Sequence, residues 1–278
     1  ADVVFGTDPD CDRLGVAVRN GEGEFVGLTG NQVGALLLEY VLMRLKAENK
    51  LPENAVAIKS FVSTNLAKAI CDSYGVQLME TPVGFKFIGE KIKEFEQNKD
   101  KTFVFGFEES CGYLRGTHAR DKDAVVASML FAELACYCAY KNKSVYSMLI
   151  DIYDRLGYVY DNTVSVAYSG LNAMSEMNAV VDKMRAANVS KINIYNVVAV
   201  RDYLSGEKRF SDGREEKLEY SGINCLYYEL ENGGFVCLRP SGTEPKLKIY
   251  YSVCAKNEEA CKKVYDALSA DFSKLLSE

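Results

Sequence analysis

Between residues 31 and 140 the sequence alternates short strand-like runs with amphipathic helical runs, and no other feature restricts the possible folds so strongly. Asn31 stands where an N-cap is wanted, ahead of Val33, Leu36, Leu37, Tyr40, Val41 and Leu45 at helical spacing. The spacing then predicts strands over 55–60, 76–80 and 103–107. Between them it predicts helices over 65–73 and 85–95, the latter with Phe85, Ile88, Ile92 and Phe95 on one face. Such alternation implies an α/β domain, a parallel sheet with helices on both faces, whose ligands sit beyond the carboxyl ends of its strands. The run 124–140 is the most apolar, but it holds Glu133 and has only 17 residues. It reads as a buried helix and not as a membrane span.

From residue 144 the pattern changes. A helix over 144–156, ended by Gly157, leads out of the first domain. Strand signals follow at 158–167, 195–204, 224–231, 234–238 and 246–253, with helices over 171–187 and 258–276. Asn232-Gly233-Gly234 is hairpin chemistry, so the second domain reads as α+β with an antiparallel sheet. The net charge of −6 argues against nucleic acid or an anionic membrane surface as partner, since either asks for a basic face. Nine cysteines, an odd number without a C-x-x-C pair, read as reduced thiols of a cytoplasmic protein. The chain opens directly in a strand, without a visible signal peptide. The sequence does not fix an oligomeric state; a monomer is the simpler expectation.

Four loops carry candidate chemistry. In Asp8-Pro9-Asp10-Cys11-Asp12-Arg13, between two strand-like runs, three carboxylates repel one another unless a cation compensates them. Hard oxygen ligands in a tight turn suit Mg²⁺ or Ca²⁺. An EF-hand counted from Asp8 would need Gly and Glu where Arg13 and Arg19 stand. An aspartyl phosphatase, with Asp8 as nucleophile and Asp10 as acid, remains open as a second reading. The stretch 106–112 offers Glu108 and Ser110 at a strand end, a pair suited to sugar hydroxyls. In 239–245, Arg239 offers a fork, and Ser241, Gly242 and Thr243 offer amides and hydroxyls to a phosphate. Between residues 118 and 123, His118, Arg120 and Lys122 stand ahead of the apolar helix. Lys122 can donate a proton if neighbouring cations lower its pKa, and Lys86 is a further cation after Gly84.

In this order the four loops, together with Gly84-Phe85-Lys86, resemble the α-D-phosphohexomutase superfamily along the whole chain, most closely its bacterial phosphoglucomutase branch. The resemblance implies Mg²⁺ on Asp8, Asp10 and Asp12, with Arg13 beside the transferred phosphoryl group. It implies sugar contacts at Glu108 and Ser110 and a distal phosphate clamp at Arg239, Ser241, Gly242 and Thr243. Lys122 and His118 take the places of cations that serve proton transfer, and Lys86 and Arg120 line the cleft. Val83 departs from the Thr that relatives often carry there.

The implied activity interconverts glucose 1-phosphate and glucose 6-phosphate through a phosphoserine enzyme and glucose 1,6-bisphosphate. Mannose or pentose phosphate substrates and a non-catalytic phosphosugar-binding module stay open. The family's phosphoserine stands in a Ser-His-Asn type loop, whereas the only histidine here follows Thr117. The chain therefore reads as a C-terminal portion without the nucleophile. Residues 1–27 would end the second domain with the metal loop, 28–154 form the third with the sugar loop, and 155–278 form the phosphate-binding domain.

Overall fold

The computed structural model describes residues 1–277 and divides into two compact units, Ala1–Leu156 and Gly157–Glu278. The first unit opens with an antiparallel sheet of β1 (Val3–Thr7), β2 (Leu14–Arg19) and β3 (Phe25–Leu28), in that order. Thr7 pairs with Leu14, so residues 8–13 form a hairpin loop. One face of this sheet carries Leu14, Val16 and Val18 into the core; the other presents Val4, Gly6, Gly15, Ala17 and Gly27 with little side-chain cover.

Helix α1 (Gly30–Ala47) starts two residues earlier than Asn31 suggests. Thr29 is the N-cap and forms a reciprocal capping box with Gln32. Asn31 is inside the helix, and its Oδ1 accepts the backbone N–H of Thr64 at 3.0 Å. There follow β4 (Ala55–Ser60), α2 (Leu66–Tyr74), β5 (Gln77–Thr81), α3 (Phe85–Asn98), β6 (Thr102–Glu108), β7 (Gly112–Leu114), α4 (Ala124–Tyr140) and α5 (Val145–Leu156). The second sheet has the order β5-β4-β6-β7, with β4, β5 and β6 parallel. β7 returns antiparallel to β6, which makes the sheet mixed where the alternation alone predicts a parallel one.

Helix α3 covers one face, where Phe85, Ile88, Ile92 and Phe95 pack with Val56, Ile58, Phe103 and Leu114. Helix α1 covers the other. At Gly34 a Cβ would fall 2.3 Å from the Phe107 ring, so only glycine lets helix and strand approach this closely. Helix α4 is less buried than its composition suggests: Leu130, Phe131 and Leu134 are in the core, but Val125 and Met129 are 66% and 65% exposed. Among the described residues no single helix is long and apolar enough to cross a membrane.

The second unit comprises β8 (Tyr158–Ala167), α6 (Ala173–Ala186), β9 (Lys191–Ile192), β10 (Tyr195–Asp202), β11 (Glu207–Phe210), β12 (Glu215–Lys217), β13 (Leu226–Leu230), β14 (Phe235–Pro240), β15 (Lys246–Ala255) and α7 (Glu258–Ser277). Its sheet runs β12-β11-β10-β13-β14-β15-β8 with every pair antiparallel, and β9 adds to β10. β9, β11 and β12 carry no clear period-2 signal, being short and mostly polar, and were not legible in the sequence. Both helices cover one face, joining Met177, Val181, Leu268 and Phe272 to Tyr228, Leu238, Ile249 and Tyr251. All nine cysteines are free thiols.

Candidate functional site

The aspartate loop is built on its own backbone. Cys11 takes a positive φ of 59° and its N–H bonds the Asp8 carbonyl, which folds the chain back so that the carboxylates converge. Asp8 Oδ1 accepts the N–H groups of Arg13 at 3.0 Å and Asp12 at 3.1 Å. Those amides, the Arg13 bond foremost, hold the Asp8 carboxyl below its ordinary value. One oxygen from each of Asp8, Asp10 and Asp12 lies within 4.8 Å of the others, close to the largest separation, about 4 Å, that two ligands of one Mg²⁺ octahedron span. Asp12 Oδ1 is buried and has no hydrogen-bond partner. A buried, unsatisfied carboxylate oxygen inside an all-oxygen set fits a hard divalent cation.

Backbone bonds dock this loop onto the second sheet. Leu14 N–H donates to the Cys111 carbonyl at 3.0 Å, Arg13 bridges Gly112, and the first amide of α4, Ala124, donates to the Cys11 carbonyl at 3.2 Å. The aspartates are thereby fixed beside the β6–β7 hairpin and residues 118–123. Lys122 Nζ lies 2.9 Å from Asp12 Oδ2 and 2.7 Å from Asp121 Oδ1, and 5.7 Å from the Phe85 ring centre. Gly112 makes the room, since a Cβ there would meet the Lys122 chain at 2.3 Å.

The local charges reverse one expectation. Burial disfavours the Lys122 ammonium, but hydrogen bonds to Asp121 and Asp12 outweigh it and raise the pKa above that of ordinary lysine. Carboxylates, not cations, surround it. His118 Nε2 is 2.9 Å from Asp123 Oδ2, while Asp123 Oδ1 caps α4 through the Val126 N–H. Arg120 is drawn to Glu96 on α3 and to the Thr117 and Ala119 carbonyls. Lys86 is exposed in the first turn of α3, with Nζ 4.8 Å from the Phe87 ring centre. Neither reaches the aspartates through a contact described here.

The loop expected to meet sugar hydroxyls is the tip of the β6–β7 hairpin. Glu108, the last residue of β6, is 4% exposed and accepts the Gly84 N–H at 2.6 Å through Oε1. Burial pushes its pKa up, against the Gly84 bond, and Glu109 adds a further upward push. Gly84 adopts φ 124°, which leaves its N–H free to point at the carboxylate. Ser110 is half-buried beside it. Glu109 turns the other way, toward Ser60 and Ser63.

In the second unit Arg239 is the penultimate residue of β14, and the loop 241–245 leads into β15. Ser241 Oγ accepts the N–H groups of Glu244 at 3.4 Å and Thr243 at 3.5 Å, and Ser241 N–H bonds the Lys246 carbonyl. The Arg239 guanidinium donates only to Tyr250 OH, at 3.4 Å, and has no ion pair among the described residues. Lys248 faces it directly across the ladder. Like charges on opposed positions repel, and an anion between them removes the repulsion. Sequence reading missed Lys248, whose only signal is strand register.

A family model described as "Phosphoglucomutase/phosphomannomutase, alpha/beta/alpha domain III" matches residues 29–156. The phosphoglucomutase of Staphylococcus saprophyticus is 33% identical over 268 residues, covering 96% of this chain and 48% of that protein. Residues 29–156 belong to the phosphoglucomutase/phosphomannomutase family. The chain spans about half the length of the curated phosphohexomutase relatives it matches. The fold is that of the α-D-phosphohexomutase superfamily: the open form of parafusin from Paramecium, a phosphoglucomutase, superposes with a TM-score of 0.66 at 17% identity, covering 99% of this chain and 44% of that one. The N-acetylphosphoglucosamine mutase of Aspergillus fumigatus, solved in complex with GlcNAc-6P and magnesium, gives 0.53 at 11% identity over 98% of this chain and 52% of that one.

Proposed function

We propose that this chain is the C-terminal portion of a phosphoglucomutase that interconverts glucose 1-phosphate and glucose 6-phosphate through a phosphoserine and glucose 1,6-bisphosphate. The observation that carries the reading is the backbone docking of the aspartate loop onto Cys111, Gly112 and Ala124, because it sets a carboxylate triad, a cation and a buried sugar-facing acid in one place. Asp8, Asp10 and Asp12 would hold Mg²⁺, which when bound neutralises charge on a transferring phosphoryl group. Arg13, with Nε 3.8 Å from Asp8 and 3.7 Å from Asp12, stands at the rim of the triad to meet the same charge.

Glu108 and Ser110 orient the sugar through its hydroxyls, and burial of Glu108 strengthens each bond it accepts. Lys122 holds its proton on Nζ and shares it with Asp12 and Asp121; His118, braced by Asp123, is the second group placed to move a proton. Lys86 and Arg120 line the approach. Arg239, Ser241, Gly242 and Thr243, with Lys248, grip whichever phosphate is not reacting, as the turnover of a bisphosphate requires. Glucose is the proposed sugar because the curated relatives matched are phosphoglucomutases.

No serine-histidine loop stands in this sequence, so we place the nucleophile in the portion of relatives that this chain does not match. The bare face and the unpaired β1 edge of the first sheet support reading residues 1–27 as the end of a larger domain, ahead of 28–154 and 155–278. The site of action would be the cytoplasm, in keeping with nine cysteines outside any disulfide.

The phosphatase reading would use Asp8 Oδ2 as nucleophile, since the amides of Asp12 and Arg13 occupy Oδ1 alone. The deciding experiment incubates the protein with glucose 6-phosphate and Mg²⁺. Saturable binding without release of inorganic phosphate is expected, and hydrolysis abolished by Asp8→Asn would hand the site to the phosphatase reading.

A further inference from the structure

The hairpin that carries Glu108 and Ser110 is difficult to hold still. Three residues, Glu109, Ser110 and Cys111, join Glu108 to its ladder partner Gly112. Cys111 sits in the left-handed region at φ 67°, where hairpins of this length usually place glycine. A side chain there is strained and persists only if the surroundings impose the shape.

What imposes it is the residue between the two sugar contacts. Glu109 Oε2 accepts Ser60 Oγ at 2.9 Å and Ser63 Oγ at 3.3 Å, and the Glu109 N–H donates back to Ser63 Oγ at 3.0 Å. The two hydroxyl oxygens are 2.8 Å apart, so their two protons are shared among three contacts. Beneath them the β4–α2 turn is itself pinned. The wholly buried Lys59 donates to the Ser63 carbonyl at 3.0 Å and pairs with Glu80 at 2.8 Å, and the Thr64 amide is held by Asn31. On the remaining side the Glu109 carbonyl lies against Gly30, where a Cβ would come within 2.0 Å of it. The hairpin tip is therefore fastened to β4, the β4–α2 turn and α1, although neither Ser60 nor Ser63 belongs to the hairpin.

We propose that Glu109 is a positioning residue: a carboxylate latch, closed by the Ser60 and Ser63 hydroxyls, that fixes the β6–β7 hairpin so that Glu108 and Ser110 meet the sugar in one geometry. This rests on the reading of Glu108 and Ser110 as sugar contacts. The latch acts on the neighbours of Glu109 and never touches the substrate. A carboxylate is required because it alone accepts from both hydroxyls without offering a competing donor. Gln keeps the acceptor and brings an NH₂, so it closes the latch in part.

The test measures amide hydrogen exchange over residues 105–116 in the wild-type protein and in Glu109→Ala, Glu109→Gln and Ser63→Ala, with glucose 6-phosphate and inorganic phosphate affinities determined on the same samples. Glu109→Ala should speed exchange in that segment at least tenfold, leave β4 and β5 protected, and weaken glucose 6-phosphate by at least about tenfold. Inorganic phosphate affinity should not move, and Glu109→Gln should recover part of both losses. Ser63→Ala, a milder change, gives the same local signature if Glu109→Ala does not fold. Unchanged exchange over 105–116 in Glu109→Ala or Ser63→Ala overturns the latch. Faster exchange with glucose 6-phosphate affinity intact overturns its positioning role. Should the wild type bind no glucose 6-phosphate, the sugar-contact reading falls with it, while exchange still decides whether the latch exists.

Discussion

Replacing Glu108 separates what stability wants at that position from what sugar recognition wants. Its carboxylate is 4% exposed and takes the Gly84 N–H at 2.6 Å. Glu108→Ala leaves that amide without its charged partner, a loss of about 1.5–3 kcal/mol for a hydrogen bond to an ionised group. At about 2–4 °C per kcal/mol for a unit of this size, the first unit's midpoint should fall by roughly 3–12 °C at pH 7. Glu108→Gln keeps the acceptor and sheds the charge, so it should stay within about 1 kcal/mol of wild type or exceed it.

The sign with pH follows from the direction of the shift. Burial raises the folded pKa above the unfolded value of 4.5, so protonating Glu108 favours the native state. That contribution is whole below pH 4.5 and is lost as pH rises through the folded value. The advantage of Glu108→Gln over wild type should therefore be largest near neutral pH and shrink on acidification, followed by thermal denaturation across pH 4 to 7. Equal losses for Gln and Ala at pH 7, or a Gln difference that ignores pH, would refute the account. Glucose 6-phosphate affinity should drop in both variants, which marks the buried charge as kept for recognition at a cost in stability.

Arg239→Ala should weaken glucose 6-phosphate by about 1.5–3 kcal/mol in calorimetry and leave free glucose unaffected; Arg239→Lys should restore part, since an ammonium keeps the charge without the two-point fork. Mg²⁺ alone should bind the aspartate loop weakly, because three carboxylates fill half an octahedron and Lys122 already occupies Asp12; a dissociation constant in the low micromolar range would contradict this. In a coupled assay with catalytic bisphosphate, the protein by itself should form no glucose 6-phosphate from glucose 1-phosphate. Thiol titration should count nine groups after denaturation, with the exposed Cys11 and Cys136 reacting first in the native protein, and a shortfall would reveal a disulfide.

By itself the sequence determined whatever depends on neighbours along the chain. The period of the apolar residues placed the strands and helices of the first unit. Three aspartates at alternate positions between two strands are enough to put their carboxylates in one turn, and Arg239 to Pro245 is legible as a loop of phosphate-binding chemistry. The tertiary structure alone decided the pairings that join distant segments. Asn31 has the right residue type for a cap, yet Thr29 wins because Gln32 completes its box and because Thr64, 33 residues away, claims the Asn31 side chain. The upward shift of Lys122 draws on adjacent Asp121 and also on Asp12, arriving from the other end of the unit, and the duty of Glu109 depends on two serines 46 and 49 residues upstream. Lys248 gained meaning only from the register that sets it opposite Arg239. Periodicity reports which face of an element is buried, whereas a hydrogen bond or a charge pair is fixed by what the fold brings to within about 3 Å, and local sequence does not encode that distance.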